Sequence, residues 1–379
     1  MQMVMSISVQ KFFTSFSRIR SMDWILFFSV LTLLCLGMAA IYSVDLSRDA
    51  IDLTDVKKQS IALIIAFVFA GVILFSNYKF LEHYHFVLYF VGLLLLVGVL
   101  FLGHTIRGAR GWYVLGPASF QPVEFMKAAL IVALAAYFGR RARRYFGWKE
   151  FAESFGIAVI PAIITLLQPD FGSAVILIGI WFVMAMFAGM PMKQLGVLVL
   201  GAVMVLIFSW FVLFAPYQKS RIMTFMNPTA DPLGQGYNVA QAVIAIGSGG
   251  WFGRGLGFGT QSQLKFLPES HTDFIIAVIA EELGFFGMIL LLGAFALLIL
   301  RLFRLTHKVR DNFTAFLLLG SIAVIFLQVL VNIGMNLGVF PVTGLGLPFV
   351  SYGGSSIMFF VFLIGIAQSI AVRTVHVVS

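Results

Sequence analysis

Charged side chains are scarce in this sequence. Asp, Glu, Lys and Arg together make up 11% of the 379 residues, whereas a soluble domain carries about 25%. Apolar residue types make up 60% of the chain, and no stretch is polar enough to form a soluble domain of its own. This composition excludes a soluble globular protein and predicts a protein with many membrane spans.

Cysteine is nearly absent as well, since Cys35 is the only one in the chain. A single thiol excludes an internal disulfide and a metal site built on cysteines. The sequence also lacks a Walker motif and a glycine-rich dinucleotide fingerprint, so nothing predicts a nucleotide site. The formal net charge of +9 comes from basic residues between the apolar runs. It therefore does not predict binding to nucleic acid.

Ten apolar runs of about 17–25 residues have the length of a helix that crosses a bilayer. They lie near residues 24–43, 59–76, 84–103, 122–138, 152–168, 171–189, 193–214, 274–300, 313–337 and 350–372. The predicted fold class is an all-α integral membrane protein of about ten transmembrane helices. We expect residues 1–379 to form a single polytopic membrane domain.

The basic residues predict the orientation of these spans. The two densest clusters, GRRARR at 139–144 and RLFRLTHKVR at 301–310, fall on the same side of the predicted membrane. Cytoplasmic loops are enriched in Lys and Arg, so both termini are predicted to be cytoplasmic. The loops at 104–121 and 215–272 are then predicted to be extracytoplasmic.

The long loop at 215–272 contains two recognisable patterns. Residues 237–246 have helical periodicity, which predicts an amphipathic helix with Val239, Ala242, Val243 and Ile246 on one face. Its other face carries Asn238, Gln241 and Ala245. The run GSGGWFGRGLGFG at 247–259 has seven glycines in thirteen residues, which predicts turns and close approach of backbones.

Acidic residues concentrate at the end of this loop. Four of the sixteen in the chain, Glu269, Asp273, Glu281 and Glu282, lie within residues 268–287. Asp273 is a candidate general base at the outer membrane face; the alternative is that Ser270 and Asp273 form a capping box at a helix start. Glu281 and Glu282 lie deeper, where structural pairing with a basic residue on another span is favoured over catalysis.

A second candidate group lies in RGARGWYVLGPASFQPVEFMK at 107–127. Glu124 and Lys127 share one helix face, and a lysine inside a membrane span is a candidate functional residue. Arg107 and Arg110 suit an anionic head group, because guanidinium matches the geometry of phosphate. Contact with lipid phosphates is the alternative for these two arginines.

Three further patterns have a structural and a functional interpretation. Asp170 in QPDFGS is predicted to cap a helix. Gln328, Asn332 and Asn336 share one face of the ninth span, where they either bond to another helix or line a polar cavity. The Pro- and Gly-rich run at 341–356 predicts irregular backbone that is buried in protein or lines a water-filled cavity.

In this order, the motifs GxRxW with FQPVEFMK, QPDFG, NPTADPLGQGYN, AIGSGGWFGRG, LPESHTDF with AEELG, and LPFVSYGGSS resemble the SEDS family of bacterial membrane proteins. The resemblance covers nearly the whole chain. Within the family, GTQSQLKFLPE and FPVTGLGLP favour the elongation member over the division member.

The resemblance implies a glycosyltransferase that polymerises peptidoglycan strands from lipid II at the outer face of the cytoplasmic membrane. The essential aspartate of the family falls on Asp273, its arginine before tryptophan on Arg110, and its buried pair on Glu124 and Lys127. The family also works with a class B penicillin-binding protein, a transpeptidase. That partner is implied by the resemblance alone.

The predicted reaction transfers a lipid-linked glycan to the 4-hydroxyl of the GlcNAc of lipid II and releases a polyprenyl diphosphate. Asp273 would act as the base, while Arg110, Lys127 and Arg107 would stabilise the diphosphate and Glu124 would hold Lys127. No metal ligand cluster is visible in the sequence, and a divalent cation, Mg²⁺ or Mn²⁺, is left open. The alternatives are a lipid II flippase and a scaffold for a transpeptidase.

Overall fold

The computed structural model describes residues 21–46, 53–106, 109–116, 118–141, 145–208, 210–211, 219, 223, 235–264, 266–267 and 269–378. The candidate Arg107 and most of the first part of the long loop lie outside these residues.

The described residues are mostly helical. The helices are α1 (Trp24–Leu46), α2 (Thr54–Phe75), α3 (Phe80–His83), α4 (His85–Leu102), α5 (Pro122–Arg141), α6 (Trp148–Leu167), α7 (Phe171–Phe187), α8 (Met192–Phe208), α9 (Gln235–Ser248), α10 (Thr260–Gln263), α11 (Ile275–Thr306), α12 (Asn312–Asn336) and α13 (Gly354–Val378). Three short strands lie between α4 and α5: β1 (His104–Ile106), β2 (Ala109–Leu115) and β3 (Ala118–Phe120).

Within the described residues, eight helices are long and apolar enough to cross a membrane, namely α1, α2, α4, α5, α6, α11, α12 and α13. The apolar helices α7 and α8 are shorter than these. The prediction of an all-α multi-pass membrane protein is confirmed, and the count of ten spans stays a prediction. The helices α5 and α13 are the most buried of the eight. They form the centre, with α2 against α13, α1 against α11, and α4 and α12 against α5.

The loop at 104–121 is a small antiparallel sheet in the order β1-β2-β3, which the sequence analysis did not predict. Thr105 pairs with Arg110, and Tyr113 pairs with Phe120. The Tyr113 hydroxyl also donates to the Leu95 carbonyl of α4 over 3.1 Å. The sheet thus folds back on the end of α4 and leads directly into α5.

The predicted amphipathic helix is present as α9, but its buried face differs from the prediction. Ala242 and Ala245 are both fully buried, whereas Val243 is exposed. The helix packs against α11 and α12, and the small alanine side chains allow close contact between helix backbones. The predicted face was wrong because apolar character alone was used to select it. The small size of the alanine side chains, and not apolar character alone, decides which face contacts α11 and α12, and Val243 stays exposed.

The long helix α11 is broken at Gly284, whose backbone is not helical (φ 64°, ψ −157°). The glycine-rich run fills this break with its own backbone. Phe285 N donates to the Gly250 carbonyl over 2.9 Å, and Gly255 N donates to the Glu282 carbonyl over 3.0 Å. Backbone groups freed by a break in a membrane helix need such partners. The predicted close approach of the glycine-rich backbone is confirmed.

Gly253 should be irreplaceable at this break. Its backbone has φ +77°, and a Cβ there would overlap the Glu282 carbonyl. We expect Gly253→Ala to lower the free energy of unfolding by about 1–3 kcal/mol through overpacking, measured by thermal unfolding in detergent. Gly250→Ala is the matched control, because Gly250 also has a positive φ (+55°) but has open space around it. Equal melting temperatures for the two variants would contradict the prediction.

Candidate active site

The irregular segment at 341–353 is the part of the fold that joins the predicted motifs. A Cβ at Gly172 of the QPDFG motif would lie 2.7 Å from the Thr343 carbonyl oxygen, so the two backbones touch. Where the segment meets α13, Ser355 Oγ accepts from Gln121 N (3.1 Å) and donates to the Ser119 carbonyl (3.1 Å). The prediction of irregular backbone buried in protein is confirmed.

The same segment binds the chain next to Asp273. Tyr352 N donates to the His271 carbonyl over 2.9 Å, and Ser351 Oγ donates to the Thr272 carbonyl over 2.6 Å. Gln59 of α2 fixes the segment from its other side, with Gly353 N donating to its side-chain oxygen over 3.1 Å. These bonds satisfy the backbone of a segment that has no helix or sheet of its own.

Asp273 lies in a turn, 7% exposed, just before α11. The helix begins at Ile275, and the N-cap residue is Phe274. The predicted capping box, with Ser270 as the cap, therefore does not lie at the helix start, because residues 271–274 form turns instead. A Cβ on Gly344 would lie 3.8 Å from Asp273 Oδ2. The carboxylate is thus held next to the irregular segment.

The polar stripe of α12 consists of Gln328, Asn332 and Asn336, and the two asparagines form hydrogen bonds to other elements, which is the structural interpretation of the pattern. Asn332 and Asn336 are fully buried. Their side-chain amides both donate to the Asp273 carbonyl, over 3.1 Å and 3.0 Å. Asn332 also donates to the Leu345 carbonyl over 2.7 Å. Two of the three stripe residues therefore converge on the residue that the sequence analysis singled out.

Glu124 and Lys127 form a buried ion pair in the first turns of α5. Lys127 Nζ donates to Glu124 Oε1 over 2.8 Å, and the lysine is fully buried. The ammonium also lies 5.7 Å from the ring centre of Phe359 on α13. Among the described residues, Glu124 Oε2 has no hydrogen-bond partner. The pair therefore keeps one buried acceptor oxygen that no described side chain uses.

Next to this pair is an apolar cavity of about 230 Å³ between α2, α4, α5 and α13. Its lining includes Phe69, Phe125 and Phe359, while Glu124 and Ser355 are its polar members. A cavity with aromatic and aliphatic walls and a few polar groups at one side is typical of a ligand site. Glu124, the partner of Lys127, thus lies at the polar side of a cavity that suits a chain-like apolar group.

Arg110 is placed differently from the prediction of a free phosphate ligand. Its guanidinium donates to the carbonyls of Phe101 (2.9 Å) and Gly103 (3.0 Å) at the end of α4. The main-chain N–H of Arg110 donates to the Gln168 carbonyl over 3.1 Å. These bonds join the sheet to the ends of α4 and α6 and use two guanidinium donors. Arg107 lies outside the described residues.

Asp170, Glu281 and Glu282 have structural partners. Asp170 caps α7 by accepting from Ser173 N over 2.9 Å, as predicted. Glu281 accepts from Thr260 Oγ1 (3.1 Å) and Gln261 N (2.9 Å) at the start of α10. Glu282 accepts from Ser43 of α1 and from Ser262.

Among the described residues, hydroxyl and backbone N–H groups supply the hydrogen bonds of Glu281 and Glu282, and the basic partner on another span stays a prediction. The short helix α10 brings these neutral donors to the two carboxylates. Both glutamates therefore fasten α10, which follows the glycine-rich run, to the broken helix.

Comparisons with known proteins identify the family of this chain. The family model described as "Cell cycle protein", which joins FtsW, RodA and SpoVE, matches residues 23–376. The chain belongs to the SEDS family.

Named relatives of this SEDS chain cover nearly its full length. It is similar to the probable peptidoglycan glycosyltransferase FtsW of Thiomicrospira cyclica, with 37% identity over 94% of this chain and 93% of the relative. It is also similar to the crystal structure of the rod shape determining protein RodA of Thermus thermophilus. That match has 32% identity and a TM-score of 0.68 over 92% of this chain and 96% of the other.

A third match is a solved chain from work on structural coordination of polymerization and crosslinking by a peptidoglycan synthase complex. It has 36% identity and a TM-score of 0.77 over 93% of this chain and 98% of the other. These relatives confirm the predictions of a SEDS-family membrane protein and of an enzyme, a glycosyltransferase.

The described residues contain no group of three or more His, Cys, Asp and Glu side chains that could hold a metal ion. Carboxylates, carbonyls and waters are the usual ligands of Mg²⁺ and Mn²⁺.

The sequence analysis missed three residues that hold the candidate site together. Gln59, Ser351 and Ser355 are buried polar residues that each bond to the irregular segment or to the chain it touches. A signal was present, since Gln59 is a polar residue at the start of a predicted span. Its partner lies almost three hundred positions away, however, and no local pattern reports such a pairing.

Proposed function

We propose that this chain is a peptidoglycan polymerase that uses lipid II. It transfers the growing lipid-linked glycan to the GlcNAc 4-hydroxyl of an incoming lipid II and releases a polyprenyl diphosphate. The observation that carries the proposal is a buried Glu124–Lys127 pair beside an apolar cavity, in a fold that also holds Asp273 in the turn before α11.

The apolar cavity supports a lipid-linked substrate. Its walls include Phe69 of α2, Phe125 of α5 and Phe359 of α13, and such surfaces suit a polyprenyl tail. The polar side of the cavity carries Glu124, the partner of Lys127. A substrate whose tail enters this cavity would bring its diphosphate towards the lysine, where a positive charge stabilises the leaving group.

Asp273 is proposed as the general base. It takes the proton of the acceptor hydroxyl as the new glycosidic bond forms and the bond to the diphosphate breaks, as in inverting sugar chemistry. The leaving diphosphate carries away the bonding electrons. Arg110 supports the reaction by holding the sheet on α4 and α6, with its remaining N–H donors available for phosphate. Arg107 is proposed as a further phosphate ligand by resemblance.

We further propose that the chain acts in cell elongation and shape maintenance, in the bacterial cytoplasmic membrane with its site on the extracytoplasmic side. The motifs GTQSQLKFLPE and FPVTGLGLP support the elongation role by their resemblance to that member. Expression in two strains, depleted of the elongation or of the division polymerase, separates the roles. Restored rod shape in the first strain supports the proposal, and restored division in the second alone contradicts it.

A class B penicillin-binding protein is proposed as the partner. The support is the similarity to a chain solved in a peptidoglycan synthase complex that coordinates polymerization and crosslinking. Copurification of the two membrane proteins from cells, with an unrelated polytopic protein as the control, tests the pairing.

The experiment that tests the function is polymerisation of purified lipid II by this chain with its class B partner. We expect long glycan strands to form on a gel. The alternatives are measured in the same preparation. If labelled lipid II crosses the bilayer of proteoliposomes while no polymer forms, the chain is a flippase. If neither occurs while the partner is active, the scaffold hypothesis is favoured.

A further inference from the structure

We propose that Asn332 and Asn336 are positioning residues that hold Asp273 in its reactive place through the main-chain carbonyl of that residue. This inference rests on the proposed function, because it concerns the same base. It adds two side chains to the site that do not reach a substrate and act through Asp273.

The two asparagines use their donors fully. Asn336 Nδ2 donates to the Asp273 carbonyl (3.0 Å) and to the Asn332 carbonyl one turn below (2.9 Å). Asn332 Nδ2 donates to the Asp273 carbonyl (3.1 Å) and to the Leu345 carbonyl (2.7 Å). A primary amide has two N–H donors, so both side chains are fully engaged as donors.

The bonds fix both sides of the space around the carboxylate. Gly344, the residue before Leu345, lies close to Asp273 Oδ2, since a Cβ built on it would be 3.8 Å from that oxygen. Asn332 therefore ties the backbone of Asp273 and the backbone beside its carboxylate to one point on α12. Because α12 is a regular helix from Asn312 to Asn336, it provides a rigid mount for the turn that carries Asp273.

Packing alone does not explain these residues. Both asparagines are fully buried at the end of an apolar helix, where burying an amide costs free energy unless it is hydrogen-bonded. A leucine would pack in their place, but it would take a donor away from the Asp273 carbonyl. Two amides converging on one carbonyl fix a position, and displacement of a catalytic group by about 1 Å costs about 10²-fold in rate.

The test compares single and double substitutions in the lipid II polymerisation assay with the class B partner present. We expect Asn336→Leu to lower kcat about tenfold and to leave KM within about twofold, and Asn332→Leu/Asn336→Leu to lower kcat by about 10²-fold. Asn336→Gln retains the N–H donors and should recover at least about a third of the lost rate. If Asn336→Leu does not accumulate, Asn336→Ser is measured in its place, with the same expectation.

Gln328→Leu is the matched control. Gln328 lies on the same stripe, is also buried, and makes no hydrogen bond to Asp273. We expect this variant to retain kcat within about twofold. The inference is overturned if Asn336→Leu keeps its kcat, if KM rises instead of kcat falling, or if Gln328→Leu loses as much activity. Asp273→Asn is run alongside: an active Asp273→Asn overturns the proposed base, while an inactive one with a normal Asn336→Leu overturns only this inference.

Discussion

Replacing Asp273 by asparagine should abolish glycan polymerisation while leaving the fold intact. Asparagine has nearly the same size and keeps a side-chain acceptor for nearby donors, and the backbone bonds from Asn332 and Asn336 do not involve the carboxylate. It cannot accept the proton of the attacking hydroxyl. A general base contributes about 10²–10⁴-fold to rate, so polymer from purified lipid II should fall by at least about 10²-fold.

The same chemical change at a second helix start provides the control. Asp311 is the N-cap of α12 and accepts from Thr314 N (3.2 Å) and Thr314 Oγ1 (2.7 Å). The Asp311→Asn variant should form polymer at a rate within about twofold of that of the unmodified chain, since asparagine is an equally good N-cap. If Asp273→Asn also retains full activity with a normal melting temperature, Asp273 is structural and the proposed mechanism is wrong.

Most of the membrane fold followed from apolar run length, because a helix in lipid must satisfy its own backbone over the thickness of the bilayer. The break at Gly284 did not follow. Its glycine was visible, but the broken bonds are repaired by Gly250 and other residues about thirty positions away. The small sheet between α4 and α5 was also missed, because strands of three to seven residues carry little periodicity.

The candidate site was also predicted only in part. Glu124 and Lys127 were predicted as a pair because i and i+3 share a helix face, and the structure shows their ion pair. Asn332 and Asn336 were predicted to share a face, yet nothing local showed that both would reach Asp273. The partners of Glu281 and Glu282 were predicted from charge alone. Among the described residues, neutral donors bond to both carboxylates, and only the fold brings these donors there.

Removing the charge of Lys127 should damage both folding and activity, and a double substitution should separate the two effects. Lys127→Met leaves the Glu124 carboxylate buried without its ion partner, which costs about 3–5 kcal/mol in comparable buried pairs. Glu124→Gln/Lys127→Met removes both charges at similar volume, so most of the melting temperature should return. Polymerisation should stay at least about 10²-fold low, because the positive charge for the leaving diphosphate is still missing.

The ion pair at the other end of the same helix provides the comparison. Arg141 binds Glu153 over 3.0 Å with both side chains about one third exposed, and such pairs contribute about 0–1 kcal/mol. Arg141→Met should therefore leave melting temperature and polymer yield nearly unchanged. A double variant at 124 and 127 that regains both stability and polymerisation would make that pair purely structural. If the buried lysine acts on the substrate, the double variant should be stable yet inactive. The fold then tolerates the loss of the lysine charge, whereas the reaction requires that charge.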